Sequence, residues 1–145
     1  TGRHVVTRVF RPDEVVGLRT PPTDPDAIRL RARFADPFNH PTGVYRRHLV
    51  RAVGGYSDFA LMEDYLLWAR MILAGARVAI VAEPLVLYRV GAGAYARRGG
   101  WGQLRAELAL QRRFREIGFT TRAQCARNVL VRGGYRLGLN YRRGP

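Results

Sequence analysis

The chain has no lysine: all 25 of its basic residues are arginine, set against 11 acidic residues for a net charge of +14. Coding bias in an arginine-rich proteome is the plain explanation for the choice of arginine, and a functional one can hold beside it, since folding decides where the arginines cluster. Arginine's forked donors favour phosphates and anionic lipids, so an anionic partner is expected. The glycine-rich stretch 91–100 lacks the spacing of any phosphate-loop motif and the Lys-Ser/Thr pair that ends one. The single cysteine, Cys125, excludes an internal disulfide and a cysteine-rich zinc site, and fits a reducing compartment. No run of about 20 apolar residues is present, so no membrane span is expected. No internal repeat is visible. The chain begins at Thr1, with neither methionine nor a signal-peptide pattern, and is expected to be a piece of a longer protein. With 145 residues, 47% of them hydrophobic, it can bury a core and should not be disordered.

The pattern along the chain is that of an α/β unit. Residues 1–10 alternate as a strand does. Residues 20–27, rich in proline and aspartate, predict loop or turn. For Ile28 to Phe34, with arginines at 29, 31 and 33, periodicity leaves strand and helix turn both open. Residues 36–42 should be irregular because of Pro37 and Pro41, and 43–47 read as a short strand. Residues 47–53 predict a short helix stopped by Gly54-Gly55, with Leu49, Val50 and Val53 facing the core. Glu63 to Ala74 is the strongest helix, since Tyr65, Trp68, Ala69 and Ile72 recur on one face and Gly75 follows. An apolar strand at 78–82 is expected to break at Pro84 before a second apolar run at 85–90. A helix over 101–117 should end at Gly118, and Thr120 or Thr121 should cap a last helix carrying Cys125, Val129 and Leu130.

Four short segments carry chemistry: Asn39-His40-Pro41-Thr42, Gly54-Gly55-Tyr56, Glu63-Asp64-Tyr65 with Leu67 and Trp68, and Glu83-Pro84-Leu85 with Tyr88 and Arg89. An acidic pair opens an aromatic helix, and an arginine follows a strand. A carboxylate can take a hydroxyl proton, aromatic faces can hold a sugar ring, and a guanidinium can bind phosphate. In order and spacing these segments resemble the C-terminal half of a family-2 glycosyltransferase of GT-A fold, over about residues 36–90. The tail, with Arg97-Arg98-Gly99-Gly100, Glu107 and Gly118-Phe119, is more loosely similar to the extension of members that build bacterial exopolysaccharide or lipid-linked glycans.

The resemblance implies an acceptor-side half-domain over 1–93 and a basic helical extension over 94–145. It implies sugar transfer from a nucleotide-sugar donor to a saccharide or lipid-linked acceptor, with inversion. Asp64 would be the general base; Glu63, His40 and Trp68 would contact substrate, and Tyr88-Arg89 would lie near the donor diphosphate. It also implies Mn²⁺ or Mg²⁺, held by an Asp-x-Asp in a nucleotide-binding half that this chain does not contain; the chain alone should be inactive. Asp24-Pro25-Asp26 has those letters but sits in a proline-rich turn. The expected location is cytoplasmic, peripheral at the inner face of the cell membrane. There the tail, which mixes Leu130, Val131, Tyr135 and Leu137 with arginines, could meet anionic lipid.

Each site residue also has a plainer reading. Asp64 could merely complement the helix dipole. Glu63 could orient the loop, Tyr65 and Trp68 could be core, His40 could brace its loop, and Arg89 could pair with Glu83. The tail arginines could be a solvated face. Two other classes compete: a non-catalytic adaptor that docks a partner or membrane, and a nucleic-acid-binding module. The second rests on charge alone, without an RNA-recognition strand motif, zinc knuckle or helix-turn-helix, so no specific nucleic acid is expected.

Overall fold

A computed structural model describes the backbone of residues 2–11, 14–89 and 101–141 and the side chains of 17–88 and 101–134. Three strands form one sheet: β1 (Gly2–Arg11), β2 (Glu14–Arg19) and β3 (Val78–Arg89). Their order is β2-β1-β3, with β2 antiparallel and β3 parallel to the central β1. Five helices accompany it: α1 (Pro25–Ala32), α2 (Arg47–Ala52), α3 (Glu63–Leu73), α4 (Trp101–Glu116) and α5 (Arg122–Tyr141). The α/β class expected from the sequence is therefore present.

Register sorts the two faces of the sheet. Leu18 of β2 and Leu87 of β3 both pair with Arg8, and both are exposed. Arg19 and Val86 both pair with Thr7, and Tyr88 pairs with Val9, so Arg19 and Tyr88 share the other face. Pro84 does not break β3. The strand runs on, and its register with β1 shifts on either side of Val6, which pairs with Pro84. Proline has no N–H to donate, and a bulge is where a ladder tolerates that loss.

Two further expectations are corrected. Residues 25–27 are helical and not loop or turn, and the segment from Ile28, for which periodicity leaves strand and helix turn both open, continues that helix to Ala32. Asp24 caps α1: its Oδ2 accepts the Ala27 N–H at 2.7 Å, and Pro25 occupies the first turn, where no donor is missed. Ile28 and Ala32, one turn apart, are its buried residues. Residues 43–47 form no strand; only Val44 makes an isolated bridge, and its side chain is 67% exposed. Gly54 and Gly55, at φ 83° and 69°, end the α2 region as expected, with the Gly55 N–H bonded to the Val50 carbonyl at 2.8 Å. Leu49, Val50 and Val53 are only partly buried, packed at the edge of a core cluster.

Helix α3 lies between two hydrophobic clusters. One gathers Leu67, Trp68 and Met71 with Ile28, Phe38, Val78 and Ile80. The other gathers Tyr65, Leu66 and Ala69 with Ala32, Leu110, Phe114 and Phe119. Burial is therefore continuous from Tyr65 to Ala69, wider than the single stripe that helical periodicity suggests. Gly75, at φ 81°, closes this helix.

Helix α5 begins with a reciprocal cap. Thr121 Oγ1 accepts from the Gln124 N–H at 3.2 Å, and Gln124 Oε1 accepts from the Thr121 N–H at 3.0 Å. A buried polar network then joins α4, α5 and the end of α1. Asn128 Nδ2 donates to the Arg33 carbonyl at 2.8 Å and to Gln111 Oε1 at 3.0 Å. Arg132 pairs with Glu107 at 2.8 Å and donates to the Phe34 carbonyl at 3.0 Å. So Arg132 is not part of a solvated arginine face, although Arg122 and Arg127 are exposed. The side chains of Arg136, Arg142 and Arg143 lie outside the described residues.

Glu107 is 1% exposed, so removing it would leave the Arg132 charge without its carboxylate. Glu107→Ala should lower unfolding free energy by about 3–5 kcal/mol in urea titration. A loss below about 1 kcal/mol would mean that water already solvates the pair.

Candidate functional site

The loop 36–42 is tied down before it offers any side chain. Arg19, at the end of β2, donates to Asn39 Oδ1 at 3.2 Å and to the carbonyls of Phe38 at 3.1 Å and Asp36 at 3.5 Å. Thr42 donates to the Asn39 carbonyl at 2.8 Å through its hydroxyl and 2.9 Å through its N–H. Asp36 Oδ1 accepts the Phe38 N–H at 3.0 Å, an Asx-type turn. The Asn-His-Pro-Thr motif is thus a braced 3₁₀ turn (His40–Thr42) that holds His40 outward.

Asp64 stands in the first turn of α3. Met62, the residue at the cap position, makes no side-chain cap bond. Asp64 Oδ1 instead accepts the Tyr65 N–H at 2.7 Å, one of the donors a helix start leaves unpaired. Its other oxygen, Oδ2, lies 3.5 Å from His40 Nδ1. The helix-terminal reading of this residue is thus realised by one oxygen, while the other faces His40.

A cleft of about 420 Å³ opens here, lined among others by Arg19, Asp36, His40, Asp64, Tyr88 and Arg132. Its polar walls come from β2, the braced loop, the start of α3, the end of β3 and α5. Leu61 sits at its lip and is the only non-glycine residue with positive φ among the described residues, at 68°. That conformation costs a side-chain-bearing residue about 1–2 kcal/mol. The same side chain, 60% exposed, also borders an apolar groove of about 440 Å³ against Phe59, Ala106 and Ala109.

The structure brings His40, Asp64 and Tyr88 together and treats the other sequence-predicted residues differently. Trp68 is 2% exposed and does not line the cleft; it packs beneath it, edge-on to Phe38 at 5.7 Å and to His40 at 6.4 Å. Glu63 is half-buried in the same turn as Asp64 but is not among the lining residues. Arg89 ends β3, and its side chain lies outside the described residues, as does the segment 91–100.

Sequence reasoning missed Asp36. Burial, helped by the negative charge of Asp64, pushes its carboxyl up to about 7, against the pull of the Phe38 N–H bond, Arg19 and Arg132. The sequence signal was slight: an Asp-Pro pair directly ahead of the Asn-His-Pro-Thr motif. Two carboxyl groups in one cleft, one of them held near neutral pKa, suit proton transfer to or from a hydroxyl.

Among the described residues, no group of three or more His, Cys, Asp or Glu side chains could hold a metal ion. Asp24 and Asp26 do not fit that task. The first is committed to its helix cap, and the second pairs with Arg29 at 3.5 Å.

No protein-family profile and no solved structure matches the chain. It is similar to an uncharacterized glycosyltransferase of Haemophilus influenzae, 38% identical over 98 residues, covering 68% of this chain and 36% of that protein. It is also similar to the amylovoran biosynthesis glycosyltransferase AmsE of Erwinia amylovora, 35% identical over 95 residues, covering 66% and 36%. A third relative is the Escherichia coli UDP-Gal:alpha-D-GlcNAc-diphosphoundecaprenol beta-1,3-galactosyltransferase, 30% identical over 107 residues, covering 74% and 39%. The chain thus spans little more than a third of the length of the curated relatives it matches, and that third is similar to a segment of named glycosyltransferases.

Asp36 provides a pH test. Its folded pKa is raised, so its stabilising contribution is complete below the ordinary carboxylate range and is lost as pH rises toward 7. Asp36→Asn should therefore be more stable than the parent at about pH 8, by roughly 1–2 kcal/mol, and lose that advantage near pH 4. Equal effects at both pH values in denaturant titrations would place Asp36 in ordinary solvent.

Proposed function

We propose that this chain is the acceptor-side part of an inverting family-2 glycosyltransferase of GT-A fold, with Asp64 as general base. The observation that carries the reading is the meeting of Asp64 and His40, from two separate motifs, 3.5 Å apart on the wall of an open polar cleft. The relatives named glycosyltransferases support it.

In this reading an acceptor hydroxyl enters the cleft and gives its proton to Asp64 Oδ2. The freed oxygen attacks the anomeric carbon of the nucleotide-sugar. The bond from that carbon to the diphosphate oxygen breaks, and the nucleotide diphosphate leaves with the electron pair. Attack opposite the leaving group inverts the centre. Tyr88 and Arg89 are assigned to the diphosphate side, and Glu63 to the acceptor side. Trp68 supports the acceptor wall from beneath. The Mn²⁺ or Mg²⁺ of such enzymes would offset the charge of the leaving diphosphate and would be held by residues outside this chain.

The exposed row of Leu18, Leu85 and Leu87 on the far face of the sheet suits cover by a nucleotide-binding half. The acceptor is a saccharide or a lipid-linked sugar; one relative is named for a sugar-diphosphoundecaprenol acceptor. No described helix is long and apolar enough to cross a membrane. A peripheral place at the inner face of the cell membrane is supported by exposed Leu130 and Val131 beside Arg127 on α5.

In the full-length protein, Asp64→Asn should cut nucleotide diphosphate release by about 10²–10⁴-fold, the usual range for losing a general base. Donor binding, followed by calorimetry, should stay within about twofold. Normal turnover by that variant would sink the assignment.

A further inference from the structure

His40 stands between two partners with opposite requirements. Its Nδ1 lies 3.5 Å from Asp64 Oδ2, and its Nε2 lies 3.2 Å from the Tyr56 hydroxyl. The Tyr56 hydroxyl in turn lies 3.2 Å from that of Tyr45. The imidazole is stacked on the Tyr56 ring, with centroids 5.8 Å apart at 20°, and meets the buried Trp68 edge-on at 89°. Tyr45 rests on Trp68 as well, at 5.4 Å. One indole therefore supports both ends of the row.

Proton counting gives the row a direction. An ionised carboxylate has only acceptors, so the His40 nitrogen facing Asp64 must carry a hydrogen. In neutral imidazole the other nitrogen is then a bare acceptor, and Tyr56 must donate to it. The Tyr56 oxygen is left free to accept from Tyr45. In this arrangement donation would run from Tyr45 to Tyr56 to His40, whose remaining N–H faces Asp64 Oδ2. Burial raises the pKa of Tyr56, which keeps its hydroxyl protonated and able to donate. The reverse tautomer would aim a lone pair of His40 at the carboxylate.

The geometry points to His40 as the positioning residue of Asp64, held in the Nδ1–H tautomer by the Tyr56–Tyr45 pair, and not as a contact for the sugar. This gives the Gly-Gly-Tyr motif its task. Gly54 and Gly55, both left-handed, turn the chain back from α2 so that the ring of Tyr56 reaches His40. Arg70 of α3 donates to the Gly55 carbonyl and fixes that turn to the helix that carries Asp64. The consequence for turnover rests on Asp64 being the base; the tautomer does not.

The test uses the full-length protein labelled with ¹⁵N-histidine, read by long-range ¹H–¹⁵N correlation at about pH 8.5, where imidazole is neutral. His40→Gln identifies the His40 signals. The expected pattern is Nδ1 protonated and Nε2 bare, opposite to the form free histidine prefers in water. Tyr56→Phe should shift His40 toward that ordinary form. In nucleotide-sugar turnover, the same variant should lower kcat about tenfold with KM within about twofold, the size of effect one lost orienting hydrogen bond gives. An Nε2–H tautomer in the unmodified protein overturns the inference, and so does a tautomer indifferent to Tyr56. A change confined to KM makes Tyr56 a substrate contact and overturns it too. If Asp64→Asn turns over normally while the tautomer is as expected, the base assignment has failed and the orientation of His40 stands.

Discussion

Burial of α3 on two faces is the constraint on which the rest depends. Leu67, Trp68 and Met71 anchor it toward the sheet, and Tyr65, Leu66 and Ala69 toward α4. Each fully buried large apolar side chain contributes about 1.5–3 kcal/mol, and together they leave the helix little freedom to slide or rotate. Tyr65 adds a directional bond, its hydroxyl donating to the Ala32 carbonyl at 2.8 Å. Burial stops at the first turn, so the residues there, Glu63 and Asp64, emerge at a fixed place. A carboxylate at the rim of a rigid helix is positioned without a structure of its own.

The partners of Asp64 come from elements with little regular structure, and arginine provides their order. Arg19 ties three groups of the loop 36–39 to β2, and Arg132 ties α5 to α4 through Glu107 and to the residues just after α1 through the Phe34 carbonyl. Arg70 holds the glycine turn before α3. In each case a guanidinium donates to at least one main-chain carbonyl outside a helix or strand. The high arginine count therefore has a structural use near the cleft as well as a compositional cause. Outward-facing Arg122 and Arg127 keep the character of a basic surface.

Charge in the cleft is mixed, which matters for its chemistry. Two carboxyl groups face it; burial, with the charge of Asp64, raises the pKa of Asp36 to about 7, and Arg19 and Arg132 oppose that rise. A cleft of one sign would steer ions. This one offers both donors and acceptors to a hydroxyl-rich molecule.

What could be read from the chain alone was whatever local periodicity or a local stop signal encodes. The helix from Glu63, the glycine stops at 54, 55, 75 and 118 and the cap at Thr121 were all legible, and motif order marked His40 and Asp64 as candidates without showing that they meet. Periodicity could not show that α3 is covered on both sides, because the second cover comes from Leu110 and Phe114, far along the chain. Nor could it show that Asp24 and Pro25 open a helix just after Pro21 and Pro22, or that β3 absorbs Pro84 in a bulge once β1 lies beside it. Asp36 became a cleft residue only through burial and the nearness of Asp64, and Trp68 became support instead of wall only when Phe38 and Tyr45 closed around it. By itself the sequence determined where helices start and stop and which motif residues are candidates for chemistry, because residue type and spacing are local. Tertiary structure decided which of them meet, because contact and desolvation depend on neighbours that the chain brings together only on folding.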